Sequence, residues 1–187
     1  MVGVPFEERW RRFDEALVVL RALLRREPPP ELTPGPCQPG GIPVWVGSWG
    51  SNAGLARVAR SGDGWLASAY NTTPERFAAA RVRLERALAD RGRDPRGFPS
   101  AVATMWTWVT DDPVDAERVL VDVLAPLVRR DPGELRDRVC VGTPEHCVDL
   151  LRRYAAAGCS RIHVWPLGDE VSQLERLVGD VLPRIDA

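Results

Sequence analysis

Residues 43–56 read PVWVGSWGSNAGLA. An apolar run, Val44-Trp45-Val46, stops at Gly47. Gly50, Ser51 and Asn52 follow, and then an apolar-periodic segment begins. The pattern predicts a strand, a glycine turn and the start of a helix. Such a turn aims free backbone N–H groups at one point, and the helix dipole favours negative charge there. The residues alone leave two readings, a phosphate cradle or a plain tight bend. The stretch is not GxGxxG and lacks the GK[ST] of a P-loop.

Working outward, the same unit recurs. After the strand at 44–47 and a helix near 51–60, Trp65–Ser68 reads as a second strand. Thr73-Pro74-Glu75 starts a helix with Thr at the N-cap, Pro at the first position and an acid in the first turn. Residues 101–109 (AVATMWTWV) form a third strand, with Val102, Thr104, Trp106 and Trp108 on one face by alternation. A helix from about 113 to 130 follows. The short segment Val139–Gly142 precedes a second Thr-Pro-Glu cap at 143–145 and a helix running to Gly158. Arg161–Pro166 is the fourth strand, and a final helix carries Leu174, Leu177, Val181 and Leu182. Strands alternating with helices of ten or more residues mean parallel βα units with right-handed crossovers. The chain opens differently, on an amphipathic helix. Phe6, Trp10, Phe13, Leu17, Leu20 and Leu24 recur at steps of three and four as its apolar face. Residues 27–43 hold seven prolines and three glycines, so this stretch is a loop. The 187 residues are read as a single domain spanning 1–187.

Composition narrows the function classes. The net charge is −1, which gives no general attraction to nucleic acid or anionic membrane. No apolar stretch approaches the ~20 residues of a membrane span. The N-terminus lacks an apolar signal core, so the expected compartment is the cytoplasm. All 25 basic residues are Arg, so a Schiff-base lysine is excluded. Cys37, Cys140, Cys147 and Cys159 show no zinc spacing, and they are expected as small buried hydrophobes with no metal site.

With these elements in place, the chain resembles the luciferase-like monooxygenase family, flavin- or deazaflavin-dependent (β/α)8 barrels. The resemblance is carried by Phe6-Glu7-Glu8-Arg9-Trp10 with Phe13–Leu17, by Gln38–Gly47 and by Gly62-Asp63-Gly64-Trp65-Leu66. It continues through Gly92-Arg93-Asp94-Pro95, Val141–Glu145 and Ala157-Gly158. It implies an α/β fold corresponding to the C-terminal half of a TIM barrel, a leading helix plus four βα units. Residues 1–26 look like the fourth helix and the four strands like strands five to eight. The expected function is a flavin- or deazaflavin-dependent oxidoreductase or monooxygenase, truncated to the half that holds the cofactor phosphate. The alternative is a non-catalytic half barrel that self-associates or binds a partner. The implied cofactor is FMN or a deazaflavin (coenzyme F-420), with a small-molecule substrate. Two open sheet edges imply a homodimer or a partner covering them.

The resemblance makes the turn after the first strand the place where family members grip the cofactor phosphate. Gly47, Ser48, Trp49, Gly50, Ser51 and, at the end of the second strand, Ser68 are the expected cofactor contacts. Trp49 departs from the commoner small residue. Gly50→Val is expected to weaken phosphate binding without unfolding the chain. Tyr70, Asn71, Trp106, Trp108 and Trp165 are substrate-pocket candidates, although paired strand aromatics also serve as core and the threonines beside Asn71 as helix caps. His163 is the one acid–base candidate on a strand, with a structural role as its alternative. His146, in the first turn of a helix, is expected to be solvated. The arginine-rich helix faces (Arg81, Arg83, Arg86; Arg129, Arg130; Arg152, Arg153) read as solvated ion-pairing surfaces.

Overall fold

The structure is a computed structural model, and it describes residues 3–27 and 32–185. A 3-10 turn (Phe6–Glu8) leads into α1 (Arg9–Arg25). Then β1 (Trp45–Gly47), α2 (Asn52–Ser61), β2 (Gly64–Ser68), α3 (Pro74–Ala89) and β3 (Ser100–Val109) alternate. Next come α4 (Pro113–Arg118), a π-helical stretch (Val119–Leu124), α5 (Ala125–Val128) and α6 (Pro132–Leu135). β4 (Cys140–Gly142), α7 (Pro144–Ala156) and β5 (Arg161–Pro166) follow. The last elements are α8 (Glu170–Arg176), a second π-helical stretch (Leu177–Val181) and α9 (Leu182–Ile185). Of the proline-rich segment, residues 28–31 lie outside the described residues, and 32–44 contain no helix or strand.

All strand pairs are parallel. β3 is the spine of the five-stranded sheet. Its first half pairs with β2 and its last three residues with β4, on the same edge, while β5 takes the other edge. The sequence reading counts four strands, and the described residues form five. The addition is β4, from the segment read as a lead-in to a cap. β2 ends at Ser68, opposite Ala103, so the rest of that edge of β3 would lack partners for its backbone groups. Cys140–Gly142 supplies them over Thr107–Val109. Both Thr-Pro-Glu caps form: Thr73 accepts from the Arg76 N–H and Thr143 from the His146 N–H, with Pro at the first helical turn.

One sheet face packs against α2, α3 and α7. Val46, Trp65, Ala67, Val102, Met105 and Val109 meet Leu55, Val58, Phe77, Leu84 and Leu150 there. Trp65 lies at its centre, stacked on Phe77 at 4.7 Å, with Tyr154 edge-on to Phe77 at 6.0 Å. A second cluster, from Val119, Leu120, Leu124, Leu135, Val139 and Val141, takes in Tyr70, Trp106 and Trp108.

That division corrects the expected face of β3. Val102 belongs to the helix-side core, whereas Trp106 and Trp108 pack in the second cluster. The cause is a β-bulge. Val102 and Met105 of β3 match Ile162 and Val164 of β5, so β3 carries one extra residue. Thr104 takes it up with φ +53°, a costly conformation for a β-branched residue. After the bulge, the inward and outward positions exchange.

α1 is a second correction. Of its apolar stripe only Leu17 is buried; Phe6, Trp10, Phe13 and Leu20 are exposed. The helix is held largely by charge. Asp14 pairs with Arg57 at 3.0 Å and Arg60 at 2.6 Å, and Asp63 pairs with Arg21 at 3.0 Å and Arg25 at 3.1 Å. Cys140 and Cys147 are buried as expected, but Cys37 is exposed. His146 is half-buried under Gly142, with its ring Nε2 3.1 Å from the Val139 carbonyl oxygen, so it is not a solvated side chain. Several arginines cap backbone carbonyls as well as pairing with acids: Arg81 donates to Gly158 O, Arg83 to Gly50 O and Arg93 to Ala59 O and Gly62 O.

Trp65→Phe keeps a ring beside Phe77 but removes the indole N–H and part of the buried volume. It should cost about 1–3 kcal/mol in urea unfolding, and a loss within error would show that Trp65 does not organise the core. Glu75 accepts from Arg153 at 2.7 Å across the α3–α7 contact. That bond, with the Thr73 hydroxyl, holds its carboxyl down at about 2, below its ordinary 4.5. A depressed carboxyl stabilises above its unfolded pKa and loses that stability as pH falls through its folded one. The pair is exposed, so the term is below ~1 kcal/mol. Glu75→Gln should therefore be slightly less stable than wild type at pH 7, with the gap closing between pH 4.5 and about 2. A gap that persists below pH 2 would refute the assignment.

Candidate functional site

The sheet face opposite the helix-side core carries a cavity of about 670 Å³. Gly47, Ser48, Trp49 and Ser51 form one wall, Ala53, Gly54 and Arg57 of α2 another, and Leu66, Ser68, Ala103 and Thr104 the floor. Trp10 of α1 closes one side. Of the expected cofactor contacts, five line this cavity: Gly47, Ser48, Trp49, Ser51 and Ser68. Gly50 does not, because it is turned toward α3.

The turn is built from the core outward. The Trp65 indole N–H donates to the Ser48 carbonyl at 3.0 Å, and the Ser48 N–H donates to Leu66 O at 3.0 Å. Gly50 sits at φ +85° and donates its N–H to Ser48 Oγ at 3.2 Å. Its carbonyl accepts from Arg83 at 2.8 Å. Ser51 caps α2, its Oγ accepting from the Gly54 N–H at 3.2 Å. Both serine hydroxyls thus accept a backbone N–H and keep their own hydrogens to donate. The amides of Trp49, Ser51, Asn52 and Ala53 donate to no described group. Two glycines fit the turn for separate reasons. A Cβ on Gly47 would meet nothing within 4 Å, so this position opens into the cavity, whereas a Cβ on Gly54 would lie 2.1 Å from Ser48 Oγ.

The bulge delivers Thr104 to the floor. Its hydroxyl lies 3.1 Å from Ser68 Oγ and 2.7 Å from the Ala103 carbonyl. Asn71 donates to Ser68 Oγ at 3.1 Å and accepts from Arg130 at 2.7 Å, so a polar chain runs from the floor toward the second cluster. The expected substrate residues gather around that cluster. Tyr70 and Trp108 pack in it, and Trp106 meets Trp165 edge-on at 5.3 Å. The Trp106 indole N–H is buried with no partner, while that of Trp108 donates to Asp115 at 2.7 Å. His163 is exposed on β5, level with the Ala103–Thr104 bulge but not among the residues that line the cavity, and makes no hydrogen bond to a described group. Neither Thr104 nor Arg57 emerges from reading the sequence. Strand alternation hides the first, and a helix-surface arginine looks like any other. Among the described residues, no group of three or more His, Cys, Asp and Glu is placed to hold a metal.

This geometry revises the expectation for Gly50. Its left-handed φ and the 3.2 Å approach of a Cβ to Ala80 make Gly50→Val strained. That variant should lose about 1–3 kcal/mol of stability and cannot separate binding from folding. Gly47→Val points into open space and should unfold within about 0.5 kcal/mol of wild type. Equal urea midpoints for the two variants would contradict this reading of the turn.

Comparison with known proteins agrees with the fold. The profile of the luciferase-like monooxygenase family matches residues 1–138. An uncharacterized protein of Mycobacterium tuberculosis is 31% identical over 104 residues, which cover 50% of this chain and 34% of that protein. Two solved structures superpose well. An F-420-dependent secondary alcohol dehydrogenase, in complex with an F-420–acetone adduct, gives a TM-score of 0.78 at 16% identity. The match covers 98% of this chain and 64% of that one. A monooxygenase from Streptomyces bottropensis gives 0.69 at 16% identity, covering 96% and 63%. The chain spans less than two thirds of each of these proteins, and its parallel βα sheet corresponds to a half of the barrel fold of the two solved structures. With the family profile matched over most of its length, this chain belongs to the luciferase-like monooxygenase family.

Proposed function

We propose that this chain carries the phosphate-holding half of a flavin- or deazaflavin-dependent oxidoreductase, binding FMN or coenzyme F-420. The observation that carries the reading is the cavity of about 670 Å³ on the open sheet face, walled by the Gly47–Ser51 turn. Its residues fit a phosphate: unpartnered amides at the head of α2, two hydroxyls oriented to donate, and a glycine whose missing side chain leaves the entrance open. In this reading Ser51, Asn52 and Ala53 hold the phosphate through their N–H groups, and Ser48 and Ser51 donate their hydroxyls. Ser68 and Thr104 contact the polyol that joins phosphate to ring. Trp49, 69% exposed, covers the ligand from solvent. Tyr70, Asn71, Trp106, Trp108 and Trp165 shape the substrate side. When bound, the cofactor supplies the hydride or oxygen chemistry. Among the described residues the cavity lining contains no carboxylate, histidine or cysteine, and in this reading the lining binds and orients the cofactor. The family neighbours named for F-420 and for monooxygenation support this class. We place the protein in the cytoplasm, and no described helix is long and apolar enough to cross a membrane.

A second reading has its own observation. β1 and β5 each pair on one side only among the described residues, and α1 exposes Phe6, Trp10, Phe13 and Leu20. This favours a half barrel that self-associates, or that takes a partner over its open edges, with little or no flavin binding.

Solution mass and cofactor titration separate the two. A dimer, or a complex with a partner, that binds FMN or coenzyme F-420 with micromolar affinity supports the enzymatic half. Gly47→Val should then weaken binding at least tenfold at unchanged stability. A folded chain that ignores both cofactors would sink that reading and leave the association module.

A further inference from the structure

Among the described residues, Arg57 is the one ionisable side chain in the cavity lining. It stands on α2 one turn beyond Ala53 and Gly54, on the same helix face. Side chains on a helix slant toward its N-terminus. Arg57 therefore slants back over a ramp that carries one methyl group, at Ala53, and no side chain at Gly54. The distance along the axis from Arg57 to Ala53 is about 6 Å, within an arginine's span. Its guanidinium lies 4.2 Å from the centroid of the Trp10 ring, and the side chain as a whole is 14% exposed.

The pairing of this group is incomplete. Nε donates to Asp14 Oδ1 at 3.0 Å, and neither Nη group donates to a described residue. Asp14 gives its other oxygen to Arg60 at 2.6 Å. One carboxylate thus answers two guanidinium groups, leaving an excess positive charge beside the cavity. Trp10 and Asp14 fix the guanidinium plane, and a planar fork with free Nη donors is the group that grips a phosphate by two hydrogen bonds.

We propose that Arg57 is a specificity-determining residue of this pocket, selecting the phosphorylated cofactor over the same ring and polyol without phosphate. The proposal rests on the cofactor reading above. It goes beyond it by naming the side-chain cation that supplements the backbone amides, and by giving α1 a part in the site. Asp14 and Trp10 act as positioning residues that hold the fork in place.

The test compares FMN with riboflavin on wild type, Arg57→Gln and Asp14→Asn, by calorimetry and by tryptophan fluorescence. The deazaflavin and its phosphate-free form are run in parallel. Arg57→Gln should weaken the phosphorylated ligand about 10- to 100-fold and leave the phosphate-free ligand unchanged, so the preference between them collapses. Asp14→Asn keeps a carbonyl oxygen to accept from Arg57 Nε, so it still positions the fork while removing its counter-charge, and it should preserve or sharpen the preference. Equal losses in both variants would mean that the ion pair is only structural, and the proposal would fall. An undiminished preference in Arg57→Gln would overturn it while leaving the cofactor reading intact. If wild type binds none of these ligands, both fall together.

Discussion

The hydrogen bond from the Trp65 indole to the Ser48 carbonyl joins the two parts of this structure. Trp65 is buried on the helix side of the sheet, face to face with Phe77. Its N–H reaches past the strand edge and holds the turn that forms the cavity wall. A buried indole needs a partner for its N–H, and leaving it unmade costs about 1–3 kcal/mol. The turn satisfies that need, and the core in turn fixes the turn. Gly50 can then adopt a left-handed φ, Ser48 can meet the Gly50 amide, and Ser51 can cap α2. The first turn of α2 is aimed by the same packing that makes the sheet bury its apolar face.

The second constraint is the bulge in β3. Without it, Thr104 would follow Val102 into the helix-side core and the tryptophans would fall there too. One extra residue at Thr104 sends Met105 and Val109 to that core, and Trp106 and Trp108 to the second cluster. The strained φ is offset by two hydrogen bonds of the Thr104 hydroxyl, one to its neighbour's carbonyl and one shared with Ser68. A bulge of this kind re-aims a side chain where straight alternation cannot. Here it places two hydroxyls from neighbouring strands on the cavity floor.

Much of the architecture was legible in the sequence because its signals are local. Thr-Pro-Glu fixes two helix starts by capping chemistry, Gly92 and Gly158 end helices with positive φ, and apolar periodicity marks α3 and α7. Gly47, Ser48, Trp49 and Ser51 line one cavity for the same reason: strand, glycine turn and cap are contiguous in sequence; Ser68 joins them because β2 pairs in parallel with β1. The rest depends on contacts between distant segments. β4 is specified by the vacant edge of β3, which no property of Val139–Gly142 announces. The inward turn of Thr104 depends on register against β5. The exposure of the α1 stripe is a tertiary fact, since periodicity reports that a face is apolar but not what lies across from it. Arg57 was hidden by its type, because a chain whose basic residues are all Arg offers many helix-surface arginines, and only the cavity distinguishes this one.

The attachment of α1 has a consequence for the site. A helix that buries little but Leu17 draws little hydrophobic stabilisation from this chain, at ~25 cal/mol per Å². Its position depends instead on Asp14 and Asp63 meeting four arginines, contacts that are partly exposed and weakened by salt. Two residues of the same helix, Trp10 and Asp14, hold the Arg57 guanidinium at the cavity. Whatever covers Phe6, Phe13 and Leu20 would add apolar burial to a helix that is otherwise pinned by charge. Such a cover would steady Trp10 and Asp14, and with them the Arg57 cation that lines the pocket. The open sheet edge and the cavity wall are therefore coupled through α1, so under the function proposed above association and ligand affinity would be two readouts of one contact network.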